Sequence, residues 1–160
     1  MSIAIGAKLP DATFTAVTAQ GNKPMTTQEL CAGKLVALFA VPGAFTPTCS
    51  ARHLPSFKDH LAELHAKGVD IVACTSVNDA FVLEAWAKAQ DVYGDIVMLA
   101  DGNGDFAKAI GLDMDAGRFG MGQRSQRYSM LVKDGVVTQL NVEQGGGFEV
   151  SSGDYLLKQL

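Results

Sequence analysis

Apolar stretches bounded by glycine, proline and short polar clusters divide the chain into alternating units. "KLVALFAV" (34–41), "VDIVACTSV" (69–77) and "DIVMLAD" (95–101) are near-continuous apolar runs. Runs of this length without polar alternation predict strands covered on both faces. Between the first two, Leu54, Phe57, Leu61 and Leu64 recur at helical spacing. They predict a helix from Pro47 to about Lys67, stopped by Gly68. Pro55 falls inside that helix, where it deletes a backbone hydrogen bond, so a kink is expected. A further helix is predicted over 79–90, capped by Asn78-Asp79, with Phe81, Leu83, Ala85 and Trp86 as its apolar members.

Weaker signals complete the pattern. "DATFTAVTA" (11–19) reads as an extended opening segment, and "MTTQEL" (25–30) as a short helix with Thr26 or Thr27 as N-cap and Gly33 closing it. "GDFAKAIG" (104–111) reads as another short helix and "GRFGMGQRSQ" (117–126) as a glycine-rich loop. Residues 127–142 read as a hairpin turning at Asp134-Gly135. "GGG" (145–147) is a flexible connection, and the Ser151/Asp154 spacing suggests a capping box opening a last helix. Alternating strands and helices followed by a hairpin indicate a mixed central sheet with helices on both faces. A thioredoxin-like α/β fold over one domain, 1–160, fits this order.

Composition narrows the function classes. The charged fraction is 19% and the net charge -4, with no Lys/Arg block, so a nucleic-acid partner is not expected. No apolar run reaches membrane-spanning length, and "MSIAIGAKLPD" has no signal-peptide pattern. A cytoplasmic location is the expectation. Cysteines stand at positions 31, 49 and 74, matching neither a zinc pattern nor Cys-x-x-Cys. The readable choices are buried structural thiols or one reactive thiol among them.

Cys49 is the chemically interesting one. In "PGAFTPTCS" (42–50) the strand 34–41 ends, Thr46 fits an N-cap and Pro47 the first helical position. Cys49 then lies in the first turn, where free N–H groups and the helix dipole favour an anion. The thiolate is the nucleophilic form of cysteine, so this placement suits a reactive thiol. Thr46 occupies the place where a dithiol oxidoreductase carries its second cysteine; a hydroxyl forms no disulfide but can orient an oxygen-bearing substrate. Since lone cysteines are commonly packing residues, the residues alone leave packing and chemistry both open.

"PGAFTPTCS" resembles the active-site signature of peroxiredoxins, Pro-x-x-x-Thr-x-x-Cys, here Pro42, Thr46 and Cys49, and specifically the peroxiredoxin 5 subfamily. "VACTSVNDAFVLEAW" (72–86), "LADGNGDFAKAIGLD" (99–113), "RSQRYSMLVKDG" (124–135) and "NVEQGGGFEVSS" (141–152) resemble it too. The resemblance implies a thiol peroxidase with no metal or prosthetic group, reducing hydrogen peroxide and alkyl hydroperoxides. Cys49 would be the peroxidatic cysteine, Thr46 would hydrogen-bond the peroxide, and Pro42 would shield the sulfur. Arg127 matches the family's active-site arginine; the residues alone do not choose it over Arg124. Thr48 and Gly43 are the expected substrate-contacting positions, with Phe45 and Phe119 flanking the pocket or a subunit contact, as Met121 also could. A homodimer is implied as well.

Many subfamily members carry a resolving cysteine in the C-terminal segment. Here that segment reads "FEVSSGDYLLKQL", which points to a one-cysteine cycle. Glutathione, with or without glutaredoxin, is then the expected reductant, and thioredoxin the second choice. Cys74 reads as a buried strand residue, with a resolving role as its functional alternative; Cys31 reads as non-catalytic. His53 could serve a cysteine hydrolase as general base, but no orienting partner is evident, and His53, His60 and His65 read as solvated helix positions. "DGNGD" (101–105) begins like a calcium loop, yet Phe106 and Leu112 stand where glycine and glutamate are required. The rival readings are a thiol–disulfide oxidoreductase and a redox-sensing protein, both acting through Cys49.

Overall fold

The computed structural model describes residues 1–160. The three apolar runs form the parallel strands β3 (Leu35–Ala40), β4 (Ile71–Ser76) and β5 (Val97–Ala100). They sit inside a seven-stranded sheet, flanked by β1 (Thr13–Thr18) with β2 (Gly21–Thr26), and by the hairpin β8 (Tyr128–Lys133) with β9 (Val136–Val142). The order is β2-β1-β5-β4-β3-β8-β9. β1 runs antiparallel to β5, and β8 antiparallel to β3, so the sheet is mixed.

Burial explains the lack of alternation in β3. Val36, Leu38 and Ala40 join one buried cluster with Leu30 of α1 (Thr27–Cys31) and Phe106 of α5 (Asp105–Ala109). Ala37, Phe39 and Val41 join the other, with Phe57 of α2 (Leu54–Lys58), Leu64 of α3 (Leu61–Ala66), Trp86 of α4 (Ala80–Ala89) and Leu156 of α6 (Gly153–Leu157). Helices thus cover both faces, and every side chain of the strand is apolar because neither face meets water. This is the thioredoxin-like fold.

Several elements differ from the sequence expectation. The segment Gly21–Thr26, with no strand signal, pairs with β1 as an edge strand in which Pro24 is tolerated. Met25 therefore belongs to β2, and the following helix starts after its N-cap Thr26, whose capping box with Glu29 is complete. The long helix expected to about Lys67 is segmented: a π-helical turn at Cys49–His53 precedes α2, and α3 follows a break at Asp59-His60. Part of the glycine-rich loop forms β7 (Gln123–Ser125), paired with β6 (Asp113–Asp115). The N-cap of α6 is Ser152, not Ser151. Phe81 points outward at 78% exposure, and Ala85 is exposed too; Ala80, Leu83, Trp86 and Ala87 make the buried face of α4. The hairpin turn is as expected, with positive φ at Asp134 (48°) and Gly135 (83°).

Candidate active site

β3 delivers the chain to the loop 41–46 at the middle of the sheet. Val41 N–H is still held by the Thr75 carbonyl of the neighbouring strand, at 3.1 Å. Asn78 Oδ1 accepts from Ala44 N–H at 3.0 Å and from the Ser76 hydroxyl at 2.6 Å, pinning the loop to the end of β4. Phe45 follows with φ 63°, a left-handed conformation unusual for an aromatic residue, and its side chain is 56% exposed. The Thr46 carbonyl accepts from Ser50 N–H at 3.0 Å, so Thr46 occupies the N-cap position and Pro47 opens the helix. Its hydroxyl makes no helix cap; it donates to the Gly43 carbonyl at 2.7 Å.

Cys49 therefore sits in the first helical turn, with its side chain fully buried. Leu54 N–H bonds the Cys49 carbonyl, the long i→i+5 pattern of a π-turn. Pro55 rationalises it. A proline has no N–H to offer the carbonyl four residues earlier, and its ring would crowd that group. The expected kink is thus taken up as a widened turn directly beneath the cysteine.

One side chain, Arg127, reaches the sulfur, and a relay of hydrogen bonds stands behind it. Arg127 Nη2 donates to Cys49 Sγ at 3.2 Å, while Arg127 Nη1 lies 2.9 Å from His53 Nδ1. His53 Nε2 lies 2.9 Å from the Ser151 carbonyl. A carbonyl only accepts, so Nε2 carries the proton and the bare Nδ1 receives the guanidinium. Burial, and then the charge of Arg127, push the imidazole down to about 3, against smaller opposing contributions from Ser151 and Glu143. His53 is therefore a neutral, fully buried histidine rather than a solvated helix residue. Its ring is packed against Phe39, Phe57 and Phe148. The four-residue spacing from Cys49 was visible in the sequence; the orienting partner, a backbone carbonyl from the C-terminal segment, was not.

The two arginines that sequence could not separate have different surroundings. Arg124 donates through Nε to Met121 O at 2.9 Å and through Nη1 to Val77 O at 3.1 Å, tying two loops together beside Gly43. Arg127 alone of the pair bonds Cys49. Above it opens a cleft of about 410 Å³, lined among others by Pro42, Phe119, Gln126, Arg127 and Glu143. Pro42, Arg127 and Phe119 thus share one cavity; Phe45 and Thr48 do not line it. A second cleft of about 380 Å³ lies beside Cys31 and contains none of these residues.

The other thiols lie deep in the fold. Cys74 on β4 is fully buried in the same cluster as Cys49, and burial, then the neighbouring Cys49, push its thiol well above the ordinary value against a smaller lowering by Arg127. Cys31 is pushed up to about 11, chiefly by burial. No group of three or more His, Cys, Asp or Glu side chains is arranged to hold a metal ion. Asp101, in the calcium-like stretch, instead accepts from Phe106 N–H at 3.0 Å and Ala107 N–H at 2.9 Å, securing the start of α5.

Comparison with known proteins places the chain in a family. Residues 4–157 match the Redoxin family. The chain is 51% identical to the chloroplastic peroxiredoxin-2E-2 of Oryza sativa subsp. japonica, an alignment covering 99% of this chain and 73% of that protein. Reduced Prx3 of Vibrio vulnificus, solved in complex with hydrogen peroxide, superposes with TM-score 0.94 at 53% identity, covering 98% of each chain. Peroxiredoxin 5 of Alvinella pompejana superposes with TM-score 0.85 at 30% identity, covering 98% of this chain and 96% of that one. With a Redoxin match across nearly its whole length and close likeness to named peroxiredoxins, the chain belongs to the peroxiredoxins, a family of peroxidase enzymes.

Proposed function

We propose that the chain reduces hydrogen peroxide and small alkyl hydroperoxides through Cys49, as a member of the peroxiredoxin 5 subfamily. The observation that carries this reading is the 3.2 Å bond from Arg127 to the sulfur of a first-turn cysteine. The guanidinium stabilises the thiolate and then the charge that develops on the departing oxygen. The thiolate attacks one peroxide oxygen, the S–O bond forms as the O–O bond breaks, and the other oxygen leaves as hydroxide or alkoxide and takes up a proton. Cys49 becomes a sulfenic acid. Because the Thr46 hydroxyl already donates to Gly43 O, it faces the peroxide as an acceptor and orients the peroxide O–H. Backbone N–H groups of Thr48 and Cys49, in the first turn, are suited to the other oxygen. Pro42 and Phe119 shield and border the approach.

The sulfenic acid is resolved by an external thiol in a one-cysteine cycle. That thiol condenses with it to a mixed disulfide and water, and a second thiol releases Cys49. Glutathione, alone or through glutaredoxin, is the proposed reductant, with thioredoxin as the alternative; the cytoplasm, a reducing compartment, suits a chain with three free thiols. A second reading rests on one observation: Cys74 lies in the same buried cluster as Cys49. An internal Cys49–Cys74 disulfide would require local unfolding, since both thiols are fully buried. Exposed Phe45 and Phe119 support a homodimer closed over the active-site loops.

Stopped-flow mixing of the reduced protein with hydrogen peroxide, followed by mass spectrometry, tests the reading. Fast reaction with one oxygen added at Cys49, lost in Cys49→Ser, is the expected result. A Cys49–Cys74 disulfide would keep the peroxidase but replace the one-cysteine cycle. Reaction no faster than that of a free thiol would refute it.

A further inference from the structure

Glu143 follows the end of β9 and is only 6% exposed, yet no cation is bonded to it. Its carboxylate instead collects the chain that follows. Oε1 and Oε2 both accept from Glu149 N–H at 2.9 Å, and Oε2 accepts from Val150 N–H at 2.9 Å and Ser151 N–H at 2.7 Å. The Ser151 hydroxyl adds a fourth donor, at 2.6 Å. Four donors on one buried carboxylate fold residues 143–151 into a closed loop, with Gly145–Gly147 at its bend. Burial alone would raise this carboxyl, but these donors outweigh it and hold the group below its usual value. The loop ends on the Ser151 carbonyl, the group that His53 Nε2 contacts. Glu143 N–H also bonds Arg127 O at 3.0 Å, so the residue is tied directly to the backbone of the arginine it influences.

We propose that Glu143 is a positioning residue for the reaction at Cys49, acting through the Ser151 carbonyl, His53 and Arg127. The carboxylate sets the loop; the loop presents one carbonyl to Nε2; that contact selects the Nε2–H tautomer of His53; and the bare Nδ1 holds one arm of the guanidinium so that the other meets the sulfur. No member of this chain but Arg127 touches the reacting atoms. The alternative tautomer would place a proton between His53 Nδ1 and Arg127, setting donor against donor and turning the guanidinium aside. Among the charged side chains around the path, Arg52 is stacked on Phe148, Arg118 and Asp115 line the cleft, and Glu149 meets the carboxylate only through its backbone N–H. The inference rests on Cys49 being the reactive thiol.

The test compares peroxide reaction rates of the reduced wild type, Glu143→Gln, Ser151→Ala and His53→Leu across pH, with thermal unfolding as the folding check. Glu143→Gln keeps volume but sets an NH2 group against the N–H donors. It is expected to slow peroxide reaction about tenfold or more, the scale for losing a supporting partner behind a site. Its rate–pH profile should move toward higher pH, since a misaligned arginine stabilises the thiolate less; general loosening would lower the plateau without moving the midpoint. Ser151→Ala removes one of the four donors and should shift the profile in the same direction by less, so the inference stays testable if the glutamine variant does not fold. Glu143→Gln combined with His53→Leu should react no more slowly than the slower single variant, because the two act in series. Wild-type rates and profiles in the folded variants, or additive losses in the double variant, would overturn the positioning role. A wild type that fails to react with peroxide would instead remove the reading on which it rests.

Discussion

Arg127 and Cys49 lie 78 positions apart and meet at 3.2 Å, the arginine entering from the start of β8 and the cysteine from the helix after β3. Those strands are neighbours, with Ala40 opposite Tyr128 in antiparallel register. One register therefore sets the distance between the sulfur and the guanidinium. Replacing Arg127 by alanine should slow peroxide attack by roughly 100-fold or more, the scale for removing one preorganised donor. Lysine should recover little, since a single ammonium does not offer two forked N–H arms to His53 and the sulfur. Second-order rates from stopped-flow mixing decide both; unchanged rates would take Arg127 out of the site.

A neutral His53 makes stability depend on pH. The folded imidazole takes a proton only near 3, far below its ordinary 6.5. Between these values the unfolded chain binds a proton that the folded one refuses. The histidine's contribution is therefore complete above 6.5 and falls as the solution is acidified toward 3, by up to roughly 1.4 kcal/mol per pH unit. Urea unfolding at neutral pH and at about pH 5 should show this loss, and His53→Gln should flatten it. An equal slope in the variant would assign the dependence to other groups.

Trp86 is the chain's one tryptophan, and its Nε1 donates to the Ser50 hydroxyl at 3.0 Å, one residue from Cys49. Its emission should change when one equivalent of peroxide is added to the reduced protein. Cys49→Ser should abolish that change, and Ser50→Ala should alter the starting spectrum. A signal that persists in Cys49→Ser would detach the fluorophore from the reaction.

Gly153 is packed directly against the backbone of α2, and a Cβ there would overlap the Ser56 carbonyl. Its own N–H bonds the Ser56 hydroxyl at 2.9 Å. Gly153→Ala should destabilise the fold by about 1–3 kcal/mol, the usual cost of overpacking, as read from the urea midpoint. A neutral effect would mean that α6 moves off α2 without loss.

Much of this architecture was legible because apolar runs report burial on both faces: β3, β4 and β5 needed only their composition. Cys49 was legible because helix-start chemistry is local. His53 was not, because its meaning depends on the Ser151 carbonyl 98 positions away; in sequence it is one of three histidines on a helical stretch. Arg124 and Arg127 differ only in what they face after folding, so their separation required either a family resemblance or the geometry. β2 carries Gly21, Asn22 and Pro24 and owes its strand conformation to pairing with β1, a tertiary influence that no local propensity records. The glycine-rich stretch hid β7 for the same reason.

The π-turn under Cys49 bears on how this site could be transplanted or altered. An i→i+5 turn holds one residue more than the α-helical turn it replaces. With Pro55 replaced and every residue between Cys49 and Leu54 kept, the segment could close as ordinary α-helix, with one residue more than that turn holds. The cysteine would then rotate by about 100° relative to α2, one residue's share of a 3.6-residue turn. Cys49 would leave Arg127 although both residues remained in the chain. A designer grafting "PGAFTPTCS" onto another strand–helix unit must therefore carry across the sequence through Pro55, because the counting error built into that turn is what aims the sulfur.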